Sequence, residues 1–251
     1  MFLDAHIHLQ DIKDTGAVNS LLACAQEQGV GKFFCNAASP LDWQRVKEIS
    51  DRDERLVPFF GVHPWNSDTV EAGWNERLRG FCSETGGGIG EIGLDKIHKG
   101  AFFDKQTEVF IRQLDIACSL RKPFTVHCVR AWEVLIESLR SRDLKGTHFM
   151  IHAFSGTRED LLALTALGAY FSFRILKNAS ENKRRVFTLV PIDRLLLETD
   201  FPYLAAGEKE PGVGFYFSYL RELYETAAEI RGMGTEDLQE VIWNNGTVFM
   251  H

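Results

Sequence analysis

Short runs of apolar, β-favouring residues alternate along the chain with longer stretches whose apolar positions recur every three or four residues. The runs predict strands over residues 2–8, 32–36, 56–62, 88–92, 124–127, 148–153, 169–173 and 194–198. The intervening periodicity predicts helices over 17–28, 42–51, 103–120, 131–140, 159–167 and 180–189, with two more near 217–231 and 235–243. Around the third helix, Phe102, Phe103, Gln106, Phe110, Leu114 and Ala117 follow the spacing of a helix with one buried stripe. Gly29 and Gly168 stand where the first and the 159–167 helices should stop. Eight strands separated by helices predict a parallel sheet, and eight is the number that closes into a barrel. The expected fold is therefore α/β, a (β/α)8 TIM barrel spanning residues 1–251 as one domain.

Composition changes little in that picture. Apolar residues make up 45% and charged residues 25%, and 19 phenylalanines are ample for a large core. No apolar run approaches the roughly 20 residues of a membrane span. The opening Met1-Phe2-Leu3-Asp4-Ala5-His6 lacks a basic segment before an apolar one, so no secretory signal is expected. Five scattered cysteines without a Cys-x-x-Cys pair suit a reducing cytoplasm. The formal charge of −7 argues against broad attraction to nucleic acid or anionic membranes, while leaving room for a local phosphate site. The cluster Lys183-Arg184-Arg185 reads as a solvated helix face. Gly86-Gly87-Gly88 reads as a tight entry into the fourth strand, because it lacks the Lys-Ser/Thr of a phosphate loop.

The chemistry lies where the strands run out. His6 and His8, two apart, should face the same side of the first strand. A single His-x-His among eight histidines arises readily by chance. Here Glu91, His127, His152 and Asp200 follow at the ends of strands four, five, six and eight, and strand ends converge on one mouth of a barrel. Four imidazoles and two carboxylates exceed what one tetrahedral ion needs, so two divalent ions sharing a carboxylate are expected. Such donors suit Zn, Mn, Ni or Co better than Mg. Other tempting residues read as bland. His98 and His251 lie off the strand ends, His148 opens the sixth strand at the wrong end, and alternation should turn the Cys128 thiol away from the mouth.

The chain resembles the TatD-type metal-dependent deoxyribonucleases of the amidohydrolase superfamily, nearly end to end. The resemblance is carried by Asp4-Ala5-His6-Ile7-His8-Leu9, Gly61-Val62-His63-Pro64, Gly90-Glu91-Ile92-Gly93-Leu94-Asp95, Val126-His127, His152-Ala153-Phe154-Ser155-Gly156 and, most specifically, Leu197-Glu198-Thr199-Asp200-Phe201-Pro202-Tyr203. It implies that His6, His8, Glu91 and Asp200 hold one ion and that Glu91, His127 and His152 hold the other, with Glu91 as the bridge. Asp200 would accept the proton of the attacking water. His63 would sit near substrate or fix the turn before Pro64, and Asp95 would orient a ligand or cap a helix. Trp65 would stack on a base or pack beneath a loop.

Two departures stand out. Similar chains carry an Arg two residues after the fifth-strand His; here that position is Val129, and Arg130, one residue on, is the remaining substrate candidate. The segment after Tyr203 also lacks the expected Arg and Asn-x-Pro pattern. The expected function is a metal-dependent phosphodiesterase or deoxyribonuclease using water activated by a two-metal site, acting in the cytoplasm on DNA or another phosphodiester. Two alternatives are an amidohydrolase cleaving a C–N or ester bond of a small metabolite, and a barrel that acts mainly by binding. Glu91, standing where a carbamylated lysine would bridge, weighs against the first, and the complete ligand set against the second.

Overall fold

The computed structural model describes residues 1–98, 100, 102–203 and 212–251. Its strands β1 (Phe2–Ile7), β2 (Val30–Asn36), β3 (Leu56–Phe60), β4 (Gly88–Asp95), β5 (Phe124–Val129), β6 (Phe149–Ile151), β7 (Tyr170–Phe173) and β8 (Leu195–Leu197) pair in parallel in sequence order. Around them lie α1 (Thr15–Glu27), α2 (Trp43–Ser50), α3 (Trp74–Glu84), α4 (Phe103–Leu120), α5 (Trp132–Arg140), α6 (Arg158–Thr165), α7 (Glu181–Leu189), α8 (Val213–Arg231) and α9 (Thr235–Phe249). This is the expected (β/α)8 barrel. Helix α3 is the element absent from the sequence reading. Trp74, Leu78, Phe81 and Cys82 do form an apolar stripe, but it lies in a segment that is polar on average and interrupted by Gly80.

The core fills both the barrel and the space under the helices. Phe33, Phe34, Phe59, Phe60, Phe124 and Phe149 are all buried, and each such side chain contributes about 1.5–3 kcal/mol relative to exposure. The glycine run enters β4 tightly, as expected: a Cβ on Gly87 would stand 1.8 Å from the Pro58 carbonyl oxygen. Among the described residues, no helix is long and apolar enough to cross a membrane.

Two irregularities position the site. Strands β1 and β8 are joined not by a ladder but by the segment after β8, where Asp200 N–H donates to the His6 carbonyl at 2.9 Å and His8 N–H to that of Phe201 at 2.8 Å. The Asp4 carboxylate secures this seam by accepting from Thr199 N (2.9 Å) and Thr199 Oγ1 (2.7 Å). Glu91 lies inside β4 rather than at its end, since the strand continues to Asp95. The β4–β5 register slips between Ile89 and Ile92, freeing Glu91 N–H to donate to the Ala37 carbonyl at 2.8 Å. Only glycine fits before it: a Cβ on Gly90 would stand 1.9 Å from Thr125 Oγ1.

Candidate metal centre

Glu91 stands at the middle of the cluster with its two oxygens facing different partners. Oε2 lies 3.2 Å from His6 Nε2 and 3.5 Å from His8 Nε2. Oε1 lies 2.8 Å from His152 Nε2, 3.0 Å from His127 Nδ1 and 3.5 Å from His63 Nε2. Asp200 Oδ1 completes the first side, 3.3 Å from His8 Nε2 and 4.0 Å from His6 Nε2. All six side chains expected to meet do meet, at the C-terminal end of the strands. Ligand-type atoms of His6, His8 and Asp200, of His6, Glu91 and His152, and of His63, Glu91 and His127 each lie within 4.8 Å of one another.

A second layer aims these atoms. His8 Nδ1–H donates to the Asn36 carbonyl at 2.8 Å, which directs Nε2 into the cluster. His152 Nδ1 lies 3.2 Å from Glu198 Oε1, and Ser172 Oγ donates to the other Glu198 oxygen at 2.5 Å. Glu198, buried against His152, is a contact the sequence does not single out. Asp95 orients rather than caps a helix: its Oδ2 lies 3.5 Å from His127 Nε2 and accepts from Trp65 Nε1 at 2.7 Å. Its Oδ1 accepts from the N–H groups of Ile97 and His98, well before α4 begins. The donor set suits divalent cations. His6 Nε2 and His8 Nε2 stand 3.1 Å apart, and His127 Nδ1 and His152 Nε2 stand 3.2 Å apart. Lone pairs converging this closely are compensated by positive charge.

Without such ions, protons hold the cluster together. Burial alone would raise the Glu91 carboxyl, but the charges of His152, His63 and His6 and the His127 hydrogen bond hold it well below the usual range. Burial also opposes charge on His8, yet the Asp200 hydrogen bond and the carboxylates of Asp200 and Glu91 push it up to about 9. A histidine raised in the folded state contributes stability that is complete below its unfolded value, near 6.5, and is lost as pH rises through 9. Chelated protein should therefore lose denaturant resistance between pH 6.5 and 9, while metal-loaded protein should hold it, since cations replace the protons. Equal pH slopes for the two forms would contradict this prediction.

Comparison with known proteins places the chain. The family model described as TatD related DNase matches residues 3–251. The chain belongs to this family. It is 32% identical over 269 aligned positions to the uncharacterized metal-dependent hydrolase YcfH of Escherichia coli strain K12, covering 100% of this chain and 96% of that one. It is 28% identical over 197 positions to the 3′-5′ ssDNA/RNA exonuclease TatD of the same strain, covering 77% of this chain and 76% of that one. The crystal structure of YjjV, a TatD homolog from Escherichia coli K12, matches with a TM-score of 0.89 at 25% identity, covering 99% of this chain and 97% of that one.

In this TatD-family barrel the cluster opens into a cavity of about 610 Å³. His63 does two jobs at its wall. Its Nδ1 accepts the Trp65 N–H at 3.2 Å, fixing the turn, so the neutral ring presents Nε2–H towards Glu91 and the cavity. Burial pushes its pKa down to about 3, keeping it neutral near pH 7. Trp65 is half exposed at the rim, and His98 stacks on it at 4.7 Å. His98 does not line the cavity, but the turn secured by Asp95 packs it against the outer side of this wall through Trp65.

Three further expectations are corrected. Arg130 has φ +51, is exposed and does not line the cavity, because the chain turns left-handed after β5. Lys183 leaves the solvated face and lines the cavity, as does the unpredicted Arg174. Cys128 also contributes to the wall, although burial raises its thiol far above neutrality. Cys128→Ser should therefore keep most hydrolytic activity, whereas complete loss in steady-state assays would point to a thiol mechanism. His148 precedes β6, at the far end from the cluster, and the segment 204–211 after Tyr203 lies outside the described residues.

Proposed function

We propose that this TatD-family protein, a metal-dependent hydrolase, cleaves phosphodiester bonds of nucleic-acid strands with two divalent cations bridged by Glu91. The observation that carries the reading is the division of Glu91: Oε2 faces His6 and His8 while Oε1 faces His127 and His152, all within 3.5 Å. On this reading His6, His8, Glu91 and Asp200 hold one ion, and Glu91, His127 and His152 the other. Bound there, Zn, Mn, Ni, Co or Mg would supply charge stabilisation at phosphoryl oxygens and lower the pKa of water.

The chain's own residues do the rest. The His8 hydrogen bond and the Arg174 charge outweigh burial and keep Asp200 ionised near neutral pH, so its carboxylate is unprotonated and would receive the proton of attacking water by its position rather than by its basicity. His63 offers Nε2–H to a phosphoryl or leaving oxygen. The cavity, about 610 Å³, has the size of a small-ligand pocket, ample for a nucleotide at a strand end. Trp65, anchored through Asp95, provides a face for stacking on a base. The similarity to an exonuclease of single-stranded DNA and RNA supports the same substrate class.

The test is hydrolysis of a single-stranded oligonucleotide by chelated protein and by protein reloaded with Mn, Co or Zn. Activity should vanish on chelation and return on loading. Full turnover by protein verified as metal-free would overturn the reading.

A further inference from the structure

One corner of the cavity carries two cationic side chains, only one of which is paired with the cluster. Arg174, at the end of β7, and Lys183, on α7, are the only permanently cationic side chains among the described residues lining it, set against the carboxylates of Asp11, Glu91, Asp95 and Asp200. The guanidinium is held by one nitrogen: Arg174 Nη1 lies 2.5 Å from Asp200 Oδ2 and donates to the Tyr203 carbonyl at 2.8 Å. Among the described residues, nothing accepts from its Nε or Nη2. Lys183 is half-buried, an unfavourable place for an ammonium without a purpose, and donates to the Arg174 carbonyl at 3.1 Å.

We propose that Arg174 and Lys183 form the phosphate-recognition corner of this site, binding the anionic phosphoryl group of a nucleotide on the Asp200 side of the cluster. The inference rests on the phosphodiesterase reading above. A guanidinium fixed at one nitrogen keeps its remaining N–H groups in a planar fork matched to phosphate oxygens, so little ordering remains to be done on binding. Lys183 adds a second charge from the neighbouring helix. Arg130, after β5, is exposed and does not line the cavity.

Metal-loaded protein is titrated calorimetrically with dTMP at several salt concentrations, its metal content is measured, and KM is determined for a single-stranded oligonucleotide. Arg174→Ala should weaken dTMP binding at least about tenfold, and Lys183→Gln about three- to tenfold, with KM rising alongside. Both should flatten the dependence of affinity on salt. Arg174→Lys should recover part of the loss. Lys183→Gln and Arg174→Lys leave the cation at Asp200 in place, so they carry the test should Arg174→Ala fold poorly. Unchanged dTMP affinity in these variants, with wild type binding and cleaving normally, would overturn the corner while leaving the phosphodiesterase reading intact. A loss that merely follows a fall in metal content would assign Arg174 to holding Asp200 and also overturn it. Wild type that neither binds dTMP nor cleaves the oligonucleotide would overturn the functional reading itself.

Discussion

Glu91→Gln is expected to lower oligonucleotide hydrolysis by at least ~10³-fold, equivalent to about 4 kcal/mol of transition-state stabilisation. The glutamine keeps the shape of the side chain but not its charge. It would offer one weak oxygen donor where the wild type offers an anionic oxygen to each histidine group, His6 with His8 and His127 with His152. If Glu91 bridges two ions as proposed, metal content should fall towards one ion per chain or none. Because Glu91 N–H still reaches the Ala37 carbonyl, the β4 backbone should be preserved and far-ultraviolet circular dichroism unchanged. Near-normal turnover in steady-state assays would remove Glu91 from the centre of the mechanism.

Asp200→Asn should lose turnover by ~10²-fold or more, since an amide neither accepts the proton of attacking water nor neutralises a cation. Its effect on metal-free stability reverses a simple expectation. Two carboxylates alone at one mouth would repel, and removing one would relieve strain. In the structure, however, Asp200 is paired with Arg174 at 2.5 Å and with His8 at 3.3 Å. The variant leaves both cations short of their partner, so the chelated protein should be destabilised by about 1–3 kcal/mol. Denaturant midpoints of chelated wild type and variant, read beside hydrolysis rates, check both halves. A chelated variant as stable as wild type would favour the repulsion picture.

Much of the site was legible because a barrel converts sequence order into geometry. Once eight strands are recognised, His6, His8, His127, His152 and Asp200 at strand ends must share a mouth, and they do. Glu91 was found for the right chemistry at the wrong place along β4, because a register slip at Gly90 has no periodic signature. Glu198 was passed over because its neighbour Asp200 carries the more evident role; its spacing two residues upstream, within the same motif, was the available signal. Arg174 and Lys183 were missed or misread for a different reason. A basic residue on a helix is usually solvated, and only the path of the chain after β7 turns these two inward. His98 is likewise brought to Trp65 by a turn whose geometry depends on Asp95, a contact between side chains rather than a pattern in sequence.

Anomalous diffraction from crystals of the Mn- or Zn-loaded protein, collected at the metal absorption edge, tests the central claim most directly. Two peaks should flank the Glu91 carboxylate, one beside His6, His8 and Asp200, the other beside His127 and His152. A single peak that does not touch Glu91, or peaks away from this cluster in protein that cleaves oligonucleotides, would contradict the account.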